Sequence, residues 1–397
     1  MTANMALAGV RVLDFTQMMA GPWGTQFLGD LGAEVIKIER RITGDWERGL
    51  PAVGKLLGGD SPFFLTMNRN KKSLTLNLKD PRAKEIVYKL AATANLVTQN
   101  FRPGVLEGLG LGYDDLAKIN PAIVYVSNSG YGPDGPYVDR PGQDLLAQSL
   151  SGLVSLGGRA GDPPTPVPIS FVDASTAILL AFASLAGLYH QQRTGEGQRI
   201  DVSLFNTAIA VQCEQLTAFM NFNELPPRSA SGIANPWIAA PYGIYEASDG
   251  YIAIAMNPFK VLAELLEMPE LAQYDEDPSR AFSERDSIKP AIEARIKTNT
   301  CAYWLERLLA RDIWCAKVQD YHELMEDPQF KHSGMVTTIQ HHAAGEVRVI
   351  GNPVRFSKTP PTIRLNPPRV GEHNHEILRE LGYTDEQIAL YEEEGVI

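Results

Sequence analysis

The sequence has few of the features that mark secreted, metal-binding or membrane-spanning proteins. Its three cysteines, at positions 213, 301 and 315, form no C-x-x-C pair, so neither a disulfide framework nor a zinc knuckle is expected. The opening residues show no charged segment followed by a long apolar stretch, which argues against a signal peptide. The longest apolar run, from Ala177 to Leu188, is too short to span a bilayer. These absences predict a reduced, cytoplasmic protein with no membrane partner.

Positive charge is also scarce. The chain has 36 lysines and arginines against 47 aspartates and glutamates, a formal net charge of −11, and it has no block of basic residues. Nucleic-acid-binding proteins usually carry a basic stripe, so no nucleic-acid partner is expected. Any anionic ligand must be held by a few local basic side chains, because the overall field repels it.

Repeats and low-complexity segments are missing as well, and what remains is the pattern of an α/β protein. Helical segments separate the strands of the first half, which are predicted at 10–15, 33–39, 73–78, 95–100 and 122–129. Such spacing implies right-handed crossovers and a mostly parallel sheet. A long, mainly buried helix over 174–193 ends before Gly195, which can take the left-handed position, and a further strand follows over 199–204.

A segment rich in proline, serine and glycine, at 223–236, predicts a domain boundary. The length of 397 residues is enough for two or three domains. We therefore expect a large domain over 1–222, a small α+β domain over 223–330, and a C-terminal segment over 331–397 that returns to the large domain. The small domain begins with a predicted hairpin around Ser248-Asp249-Gly250.

Two motifs that often bind cofactors or metals do not have their usual context. The stretch from Gly130 to Gly135 is formally G-x-G-x-x-G, but prolines flank its last glycine and no helical pattern starts there, so no nicotinamide site is expected. The pairs His341-His342 and His373-x-His375 lack a carboxylate or thiolate at ligand spacing. We predict no metal site and interpret these histidines as surface or structural residues.

Polar, basic and aromatic residues directly follow several predicted strands, as in Phe15-Thr16-Gln17, Glu39-Arg40-Arg41 and Asn100-Phe101-Arg102. In parallel sheets the ligand crevice lies outside the carboxyl ends of the strands. Arg40 and Arg102 would reach one rim, with Phe101 as an aromatic face, a combination that suits a nucleotide with phosphates. Taken singly, each residue is more typical of a solvated loop, so the prediction of a nucleotide-like ligand depends on their recurrence at one edge.

One carboxylate stands out in ISFVDASTAILLAF, residues 169–182, where Asp173 lies between an apolar approach and an apolar helix. As an N-cap it would satisfy free N–H groups and suit the helix dipole, which should favour its ionised form. In a dry setting it could instead act as a base or a nucleophile. The local sequence favours the cap, and the two roles are compatible.

Six ordered stretches carry a resemblance to a known family, namely VLDFTQMMAGPWGTQFLGDLGAEVIKIER, NRNKKSLTLNLKD, NFRPGVLEGLGLGYDDL, SGYGPDGPY, RTGEGQRIDVSLF and GEHNHEILRELG. Together they resemble the class III CoA-transferases, the CaiB–BaiF family, nearly end to end and least clearly over 215–330. The resemblance implies a Rossmann-like large domain with a mostly parallel sheet, a smaller α+β domain, and two chains threaded through each other as an interlocked homodimer.

The resemblance also implies roles for particular residues. Asp173 stands at the position of the catalytic nucleophile. The implied CoA-binding residues are Met19, Ala20, Arg40, Leu76, Lys79, Asn100, Phe101, Arg102 and Arg140. Of these, Arg40 would face the ADP phosphates, residues 100–102 would lie beside the adenine and diphosphate, and Arg140 would lie near the mouth of the active site.

Two departures from the family pattern bear on the substrates. Gly108 stands where members often carry a basic residue, so a phosphate contact is lost there or supplied elsewhere. The stretch GIANPWIAAPYG, residues 232–243, lacks the glycine-rich flap of the formyl-CoA:oxalate enzymes. This argues against oxalate as acceptor and for a bulkier, more apolar acid near Trp237.

The expected reaction moves CoA from an acyl-CoA donor to a carboxylic acid through an aspartyl anhydride and an aspartyl-CoA thioester. Coenzyme A and acyl-CoA are then substrates, no permanently bound cofactor is expected, and the family suggests succinyl-CoA as donor. One alternative is an alpha-methylacyl-CoA racemase-like enzyme, which is disfavoured because Gln143 stands in the place of a required base. The other is a catalytically silent CoA-binding subunit of a paired-chain transferase, which the presence of Asp173 disfavours.

Overall fold

The computed structural model describes residues 5–397 and divides into two compact units. The first unit comprises the residues up to Ala147 together with Ile169–Val211 and Ser333–Ile397. The second unit comprises Gln148–Pro168 and Gln212–His332.

The two units differ from the predicted domains at two segments. Residues 148–168 and 212–222, predicted within the large domain, belong to the second unit. Hydrogen bonds within that unit join parts distant in sequence, since Arg228 donates to the carbonyl oxygens of Gly157 at 2.7 Å and Asp162 at 2.6 Å. A domain boundary predicted from local composition does not take such long-range contacts into account.

A six-stranded sheet forms the centre of the first unit. Its strands are β1 (Arg11–Asp14), β2 (Glu34–Glu39), β3 (Lys71–Thr75), β4 (Leu96–Gln99), β5 (Val124–Ser129) and β6 (Gln198–Ser203). They lie in the order β3-β2-β1-β4-β5-β6, and every neighbouring pair is parallel, which confirms the predicted mostly parallel sheet. The order reverses between β1 and β4, so the loops that leave these two strands diverge and open a crevice between them.

Strand β3 begins and ends earlier than the predicted 73–78. Its first residue, Lys71, is fully buried, and its ammonium group pairs with the buried carboxylate of Asp14 in β1 at 2.9 Å. In a sequence pattern a lysine indicates an exposed position. Because Lys71 is instead buried in an ion pair, the start of the strand was not predicted. The chain leaves the sheet after Thr75 and runs along its carboxyl edge.

Eighteen helices occur in the described part of the chain. In chain order they are α1 (Ala20–Asp30), α2 (Pro62–Met67), α3 (Pro81–Ala91), α4 (Val105–Gly108), α5 (Tyr113–Ile119), α6 (Asp144–Leu150), α7 (Leu153–Leu156), α8 (Phe171–Thr194), α9 (Leu204–Ala210), α10 (Cys213–Phe222), α11 (Phe259–Leu266), α12 (Pro278–Ser283), α13 (Arg285–Ile296), α14 (Cys301–Leu309), α15 (Tyr321–Glu326), α16 (Pro328–Ser333), α17 (Asn374–Glu380) and α18 (Asp385–Glu393). The 3₁₀ turns Trp46–Gly49 and Pro269–Asp275 add to these helices.

Helix α8 is held between α1 and the sheet. A Cβ atom on Gly24 of α1 would lie 2.8 Å from Cδ2 of Leu180, so the two helices approach as closely as a glycine permits. On the sheet side, a Cβ on Gly187 would lie 2.6 Å from Cγ1 of Val124 in β5. The helix ends at Gly195, whose φ of +77° is the left-handed conformation expected there. Because α8 leads into the start of β6, its first turn lies toward the carboxyl edge of the sheet.

Among the described residues, α8 is the one helix long and apolar enough to cross a membrane by length and composition, with a mean hydropathy of 1.8. It is longer than the run from Ala177 to Leu188 because further apolar residues flank that run. Half of its most apolar part is buried inside the protein, as in the core helix of a globular domain.

The remaining strands are antiparallel. In the second unit, β7 (Gly243–Ala247), β8 (Gly250–Ile254) and β9 (Cys315–Lys317) form one sheet, and the predicted hairpin around 248–250 is present between β7 and β8. With three residues, β9 is too short to show a pattern in the sequence. In the first unit, β10 (Val336–His341) pairs with β11 (Gly345–Ile350).

Candidate active site

The crevice at the strand reversal contains a cavity of about 840 Å³, within the size range of small-molecule sites. The loops after β1 and β4 form one side of it. The side chain of Asn100 accepts from the N–H of Gln17 at 2.9 Å and donates to its carbonyl oxygen at 2.7 Å, so it holds these two loops together. The predicted location of a ligand site outside the carboxyl ends of the strands agrees with this cavity.

Four of the predicted CoA-binding residues line this cavity, namely Arg40, Leu76, Lys79 and Phe101. Arg40 and Lys79 are exposed and have no ion pair within residues 5–397, so both are free to meet an anionic ligand. Gly108 also lines the cavity and offers no side chain there. Two cations beside an aromatic ring form a suitable setting for a nucleotide with phosphates.

The other predicted contacts lie elsewhere. Ala20, at the start of α1, is buried against Val172 in the first turn of α8, and Met19 is the residue before it. Arg102 is exposed and is not among the cavity-lining residues, although its neighbour Phe101 is. Arg140 lies in the loop after β5 with its guanidinium 3.7 Å from the ring centre of Tyr137. The structure therefore divides the predicted set between the cavity, the start of α8 and a separate loop.

Asp173 is the third residue of α8 and does not cap it. The N-cap residue is Ser170, whose side chain makes no capping bond. Instead, Oδ1 of Asp144, the first residue of α6, accepts the N–H groups of Val172 at 2.7 Å and Asp173 at 3.1 Å. The favoured capping interpretation of Asp173 was therefore wrong. Nothing local could have identified Asp144 as the acceptor, because it lies 29 residues earlier in the chain.

Burial and a neighbouring charge set the acidity of Asp173. Burial in the first place, and then the charge of Asp144, raise its pKa to about 7. The expectation that the helix N-terminus would favour the ionised form is thus outweighed. A partly buried carboxyl group with a pKa raised toward neutral is a candidate for a reactive site.

A buried network of charges fixes the loop that leads from β1 to α1. Lys37 donates to the carbonyl oxygen of Thr16 at 2.7 Å and pairs with Asp45 at 2.9 Å. The N–H and hydroxyl groups of Thr16 donate to Oδ1 of Asp14, at 2.9 Å and 2.5 Å. Sequence analysis missed these residues because a lysine or aspartate in a strand pattern looks like surface; only its pairing across strands makes burial possible.

Both ring nitrogens of His341, beside Asp60, interact with other groups of the protein. Nε2 of His341 lies 3.1 Å from Oδ2 of Asp60, and Nδ1 accepts the N–H groups of Ala343 and Ala344 at 3.3 Å and 2.9 Å. Although His342 is close enough to complete a cluster of three metal-type ligands, His341 has no free nitrogen for a metal. A structural role for His341 in the β10–β11 hairpin follows.

The glycine motif after β5 serves close packing of the chain. A Cβ atom on Gly130 would lie 2.6 Å from Cα of Gly142, so the two ends of this loop touch through their backbones. The first helix after β5 begins at Asp144, nine residues beyond Gly135, so it does not start within the glycine motif. The motif lacks the strand-to-helix turn of a dinucleotide site, as expected from its prolines.

The fold and the site together define a class. A doubly wound parallel sheet with a nucleotide-sized cavity at its strand reversal is combined with a half-buried carboxyl group in the first turn of a core helix. Such an arrangement suits acyl transfer from a nucleotide-containing substrate.

Comparison with known proteins gives the family. The sequence profile of CoA-transferase family III matches residues 7–374, and the chain belongs to that family. It is 36% identical to the mouse succinyl-CoA:glutarate CoA-transferase, with 96% of this chain and 87% of the mouse protein covered. It is 35% identical to the formyl-CoA:oxalate CoA-transferase of Streptomyces avermitilis, with 99% of both chains covered. The chain is thus an enzyme of the CoA-transferase type.

Solved structures agree with this assignment. A CAIB/BAIF family protein from Brucella suis matches with a TM-score of 0.82 and 30% identity, covering 95% of this chain and all of that one. An aspartate-to-alanine mutant of Rv3272 from Mycobacterium tuberculosis matches with a TM-score of 0.82 and 31% identity, covering 94% of this chain and 98% of that one.

Proposed function

We propose that this chain moves CoA from an acyl-CoA to a carboxylic acid, with Asp173 as the nucleophile. The observation that carries the proposal is the half-buried carboxyl of Asp173 in the first turn of α8, where burial and the charge of Asp144 raise its pKa to about 7. Ala20 packs against that same turn, and the β1–α1 loop just before it lines the nucleotide-sized cavity through Thr16 and Gln17. A pantetheine arm that follows this loop would lead from the cavity toward Asp173.

The chemistry needs a carboxylate. Asp173 attacks the acyl-CoA carbonyl; a C–O bond forms, the C–S bond breaks, and an aspartyl anhydride and a CoA thiolate result. The thiolate then attacks the aspartyl carbonyl, which releases the donor acid and leaves an aspartyl-CoA thioester. The acceptor carboxylate reverses both steps. Each exchange replaces one activated acyl group by another, whereas a serine would form an ester too stable to return the acyl group to a thiol.

The acyl-CoA donor we propose is succinyl-CoA. The acceptor we propose is a small dicarboxylic acid, in place of the bulkier, more apolar acid expected from residues 232–243. Relatives named succinyl-CoA:glutarate CoA-transferase, from mouse, and succinyl-CoA–L-malate CoA-transferase beta subunit, from Chloroflexus aurantiacus, are 36% and 34% identical. A panel of glutarate, malate, oxalate and a branched monocarboxylic acid, with products measured by mass spectrometry, tests this choice. Preference for oxalate, or for the apolar acid, would contradict it.

Hydroxylamine trapping tests the covalent route. Incubation with succinyl-CoA and hydroxylamine should inactivate the enzyme and convert Asp173 to a hydroxamate, which peptide mass spectrometry would locate. The same treatment without succinyl-CoA should leave the activity unchanged, because the free carboxylate does not react. Full activity after treatment with both reagents would contradict a covalent intermediate.

Loss of Arg40 should weaken acyl-CoA binding. A charge-assisted hydrogen bond to a phosphate contributes about 1.5–3 kcal/mol, so Arg40→Ala should raise KM for acyl-CoA by about tenfold or more with little change in kcat. Initial rates over a range of acyl-CoA concentrations measure this. Lys118→Ala, which removes an exposed cation of α5 that does not line the cavity, serves as the charge control. An unchanged KM in Arg40→Ala would show that this guanidinium does not bind CoA.

Two copies of the chain form the proposed enzyme, interlocked as the family resemblance implies. Helix α8 leaves large apolar side chains exposed in the single chain: Ile178 is 55%, Phe182 68% and Tyr189 61% exposed. A stripe of this kind on a core helix is suited to burial against a second copy. Sedimentation should give a dimer, and differently tagged dimers should not exchange chains without unfolding. A monomer, or rapid exchange, would contradict the interlocked form.

A further inference from the structure

Residues 395–397, which follow α18, do not line the nucleotide-sized cavity in the described chain, yet two of them hydrogen-bond to residues that do. The main-chain oxygen of Ile397 accepts from Nε of Arg41 at 2.5 Å. The carbonyl oxygen of Val396 accepts from the N–H of Asn77 at 2.8 Å. A segment that the transfer steps above do not use is therefore attached to the wall of the proposed CoA site.

The two attached residues belong to the loops that carry the free cations of the cavity. Loop 40–44 follows β2 and contains Arg40 next to Arg41, and loop 76–79 follows β3 and contains Lys79 close to Asn77. Oδ1 of Asn77 also accepts the N–H of Lys79 at 3.3 Å. Arg41 is the one side chain of loop 40–44 that hydrogen-bonds to another segment within residues 5–397. The position of both loops thus depends on residues 395–397.

A glycine reverses the chain after α18 and leaves no room for a side chain. Gly395 has a φ of +80°, its N–H donates to the carbonyl oxygen of Glu392 at 3.3 Å, and the N–H of Val396 donates to that of Tyr391 at 2.8 Å. This is a Schellman motif, which ends a helix and turns the chain back. A Cβ atom on Gly395 would lie 2.7 Å from Nη1 of Arg41. The guanidinium therefore fills the space that a glycine leaves open.

Apolar burial holds the segment in place. Val396 and Ile397 are 0% and 5% exposed. They belong to the same buried cluster as Ile38 and Leu76, two residues that line the cavity. Burial of two branched apolar side chains favours one position of the segment. Its main-chain oxygens are therefore fixed points to which the two loops attach.

We propose that residues 395–397 are a positioning element for CoA binding, which holds loops 40–44 and 76–79 so that Arg40 and Lys79 face the phosphates of the nucleotide. The inference rests on the proposed CoA site in the cavity. A cation on a mobile loop loses conformational freedom when it binds, and that loss weakens the affinity. Loops fixed before the substrate arrives avoid most of this cost. The segment should therefore act on CoA affinity and not on the chemical steps at Asp173.

Gly395→Ala tests the proposal, because its Cβ would displace the guanidinium of Arg41 while every cavity-lining side chain is kept. Ordering of the released loop on binding should raise KM for succinyl-CoA and Kd for CoA by about fivefold or more, with kcat within about twofold of the wild type. Initial rates with glutarate as acceptor and calorimetric titration of CoA measure these effects.

Gly382→Ala is the matched control, because Gly382 ends α17 with the same motif. Its φ is +85°, its N–H and that of Tyr383 donate to the carbonyl oxygens of Arg379 and Leu378, both at 3.0 Å, and a Cβ there would meet no atom within 4 Å outside its chain neighbours. Both substitutions place alanine in a left-handed position, so they should strain the backbone alike. Only Gly395→Ala should weaken CoA binding.

Combining substitutions at Gly395 and Arg41 gives a second test. In Arg41→Ala the guanidinium is absent, so adding Gly395→Ala should raise KM for succinyl-CoA by no more than about twofold over the single variant, since residues in contact have non-additive effects. Full additivity would overturn the attachment through Arg41. If Gly395→Ala does not fold, Gly395→Asn tolerates the left-handed backbone better and still places a Cβ against Arg41.

The outcomes separate this inference from the function it rests on. If Arg40→Ala raises KM for acyl-CoA and Gly395→Ala does not, residues 395–397 have no positioning role and the CoA site stands. An unchanged KM in Arg40→Ala would overturn the CoA site and the inference together. Equal increases of KM in Gly395→Ala and Gly382→Ala would overturn the inference, because backbone strain would then account for both. An increase confined to Gly395→Ala supports the positioning role.

Discussion

Replacing Asp173 by alanine should lower CoA transfer by about 10⁴-fold or more while CoA binding is retained. In the proposed mechanism all later steps depend on the covalent intermediate at this carboxylate, and loss of a nucleophile typically removes most of the catalysis. The cavity residues Arg40 and Phe101 belong to other loops, so the nucleotide site should survive. Initial rates with succinyl-CoA and glutarate, together with calorimetric titration of CoA, measure the two effects. Transfer near the wild-type rate would exclude Asp173 as the nucleophile.

The variant Asp173→Asn keeps the shape of the side chain but cannot ionise, and we expect it to be more stable than the wild type. An acid whose pKa is raised by folding, here to about 7, binds its proton more tightly in the native state. The wild type therefore loses stability as the pH rises from about 4 to 7, and the amide variant does not. At pH 8 we expect a gain of about 2 kcal/mol, allowing for the partial exposure of this group. At pH 4 the two proteins should unfold at similar denaturant concentrations.

Replacing Lys71 by methionine should destabilise the protein by about 3–5 kcal/mol, the usual effect of breaking a fully buried ion pair. The ammonium group of Lys71 donates to Asp14, to the carbonyl oxygen of Pro22 and to Asn68, at 2.9, 2.9 and 3.0 Å. Burial alone would raise the pKa of Asp14, but Lys71 and Lys37 hold it at about 2. The substitution leaves the carboxylate of Asp14 buried with one positive charge fewer beside it. Urea unfolding measures the loss.

Lys72→Met is the matched control for this effect. Lys72 is the next residue of β3, but it points to the other face and pairs with Glu34 and Glu376 at the surface. Such pairs contribute about 0–1 kcal/mol, so its loss should be small. Adding Asp14→Asn to Lys71→Met should recover part of the stability, because it removes the buried negative charge that Lys71 no longer neutralises. If both lysine substitutions lowered the free energy of unfolding equally, the buried ion pair of Lys71 and Asp14 would not be essential for stability.

The sequence predicted those parts of the site that depend on strand ends. Arg40 and Phe101 follow their strands directly, and in a parallel sheet the carboxyl ends share one edge, so their meeting at the cavity followed from topology. Asp173 was identified as a candidate because an apolar helix follows it. Its surroundings were not predicted, because Asp144, whose charge raises the pKa of Asp173, lies 29 residues earlier and no local pattern reports such a contact.

By itself, the sequence determined the alternation of strands and helices, the sheet edge at which the cavity lies and the carboxylate proposed as the nucleophile. Hydrophobic periodicity and the residues at strand ends are local properties of the chain. Only the tertiary structure decided how that carboxylate behaves. Its acidity depends on burial and on the charge of Asp144. Coulomb energies in a poorly solvated interior vary with distances of a few ångströms, and those distances exist only once the segments are packed together.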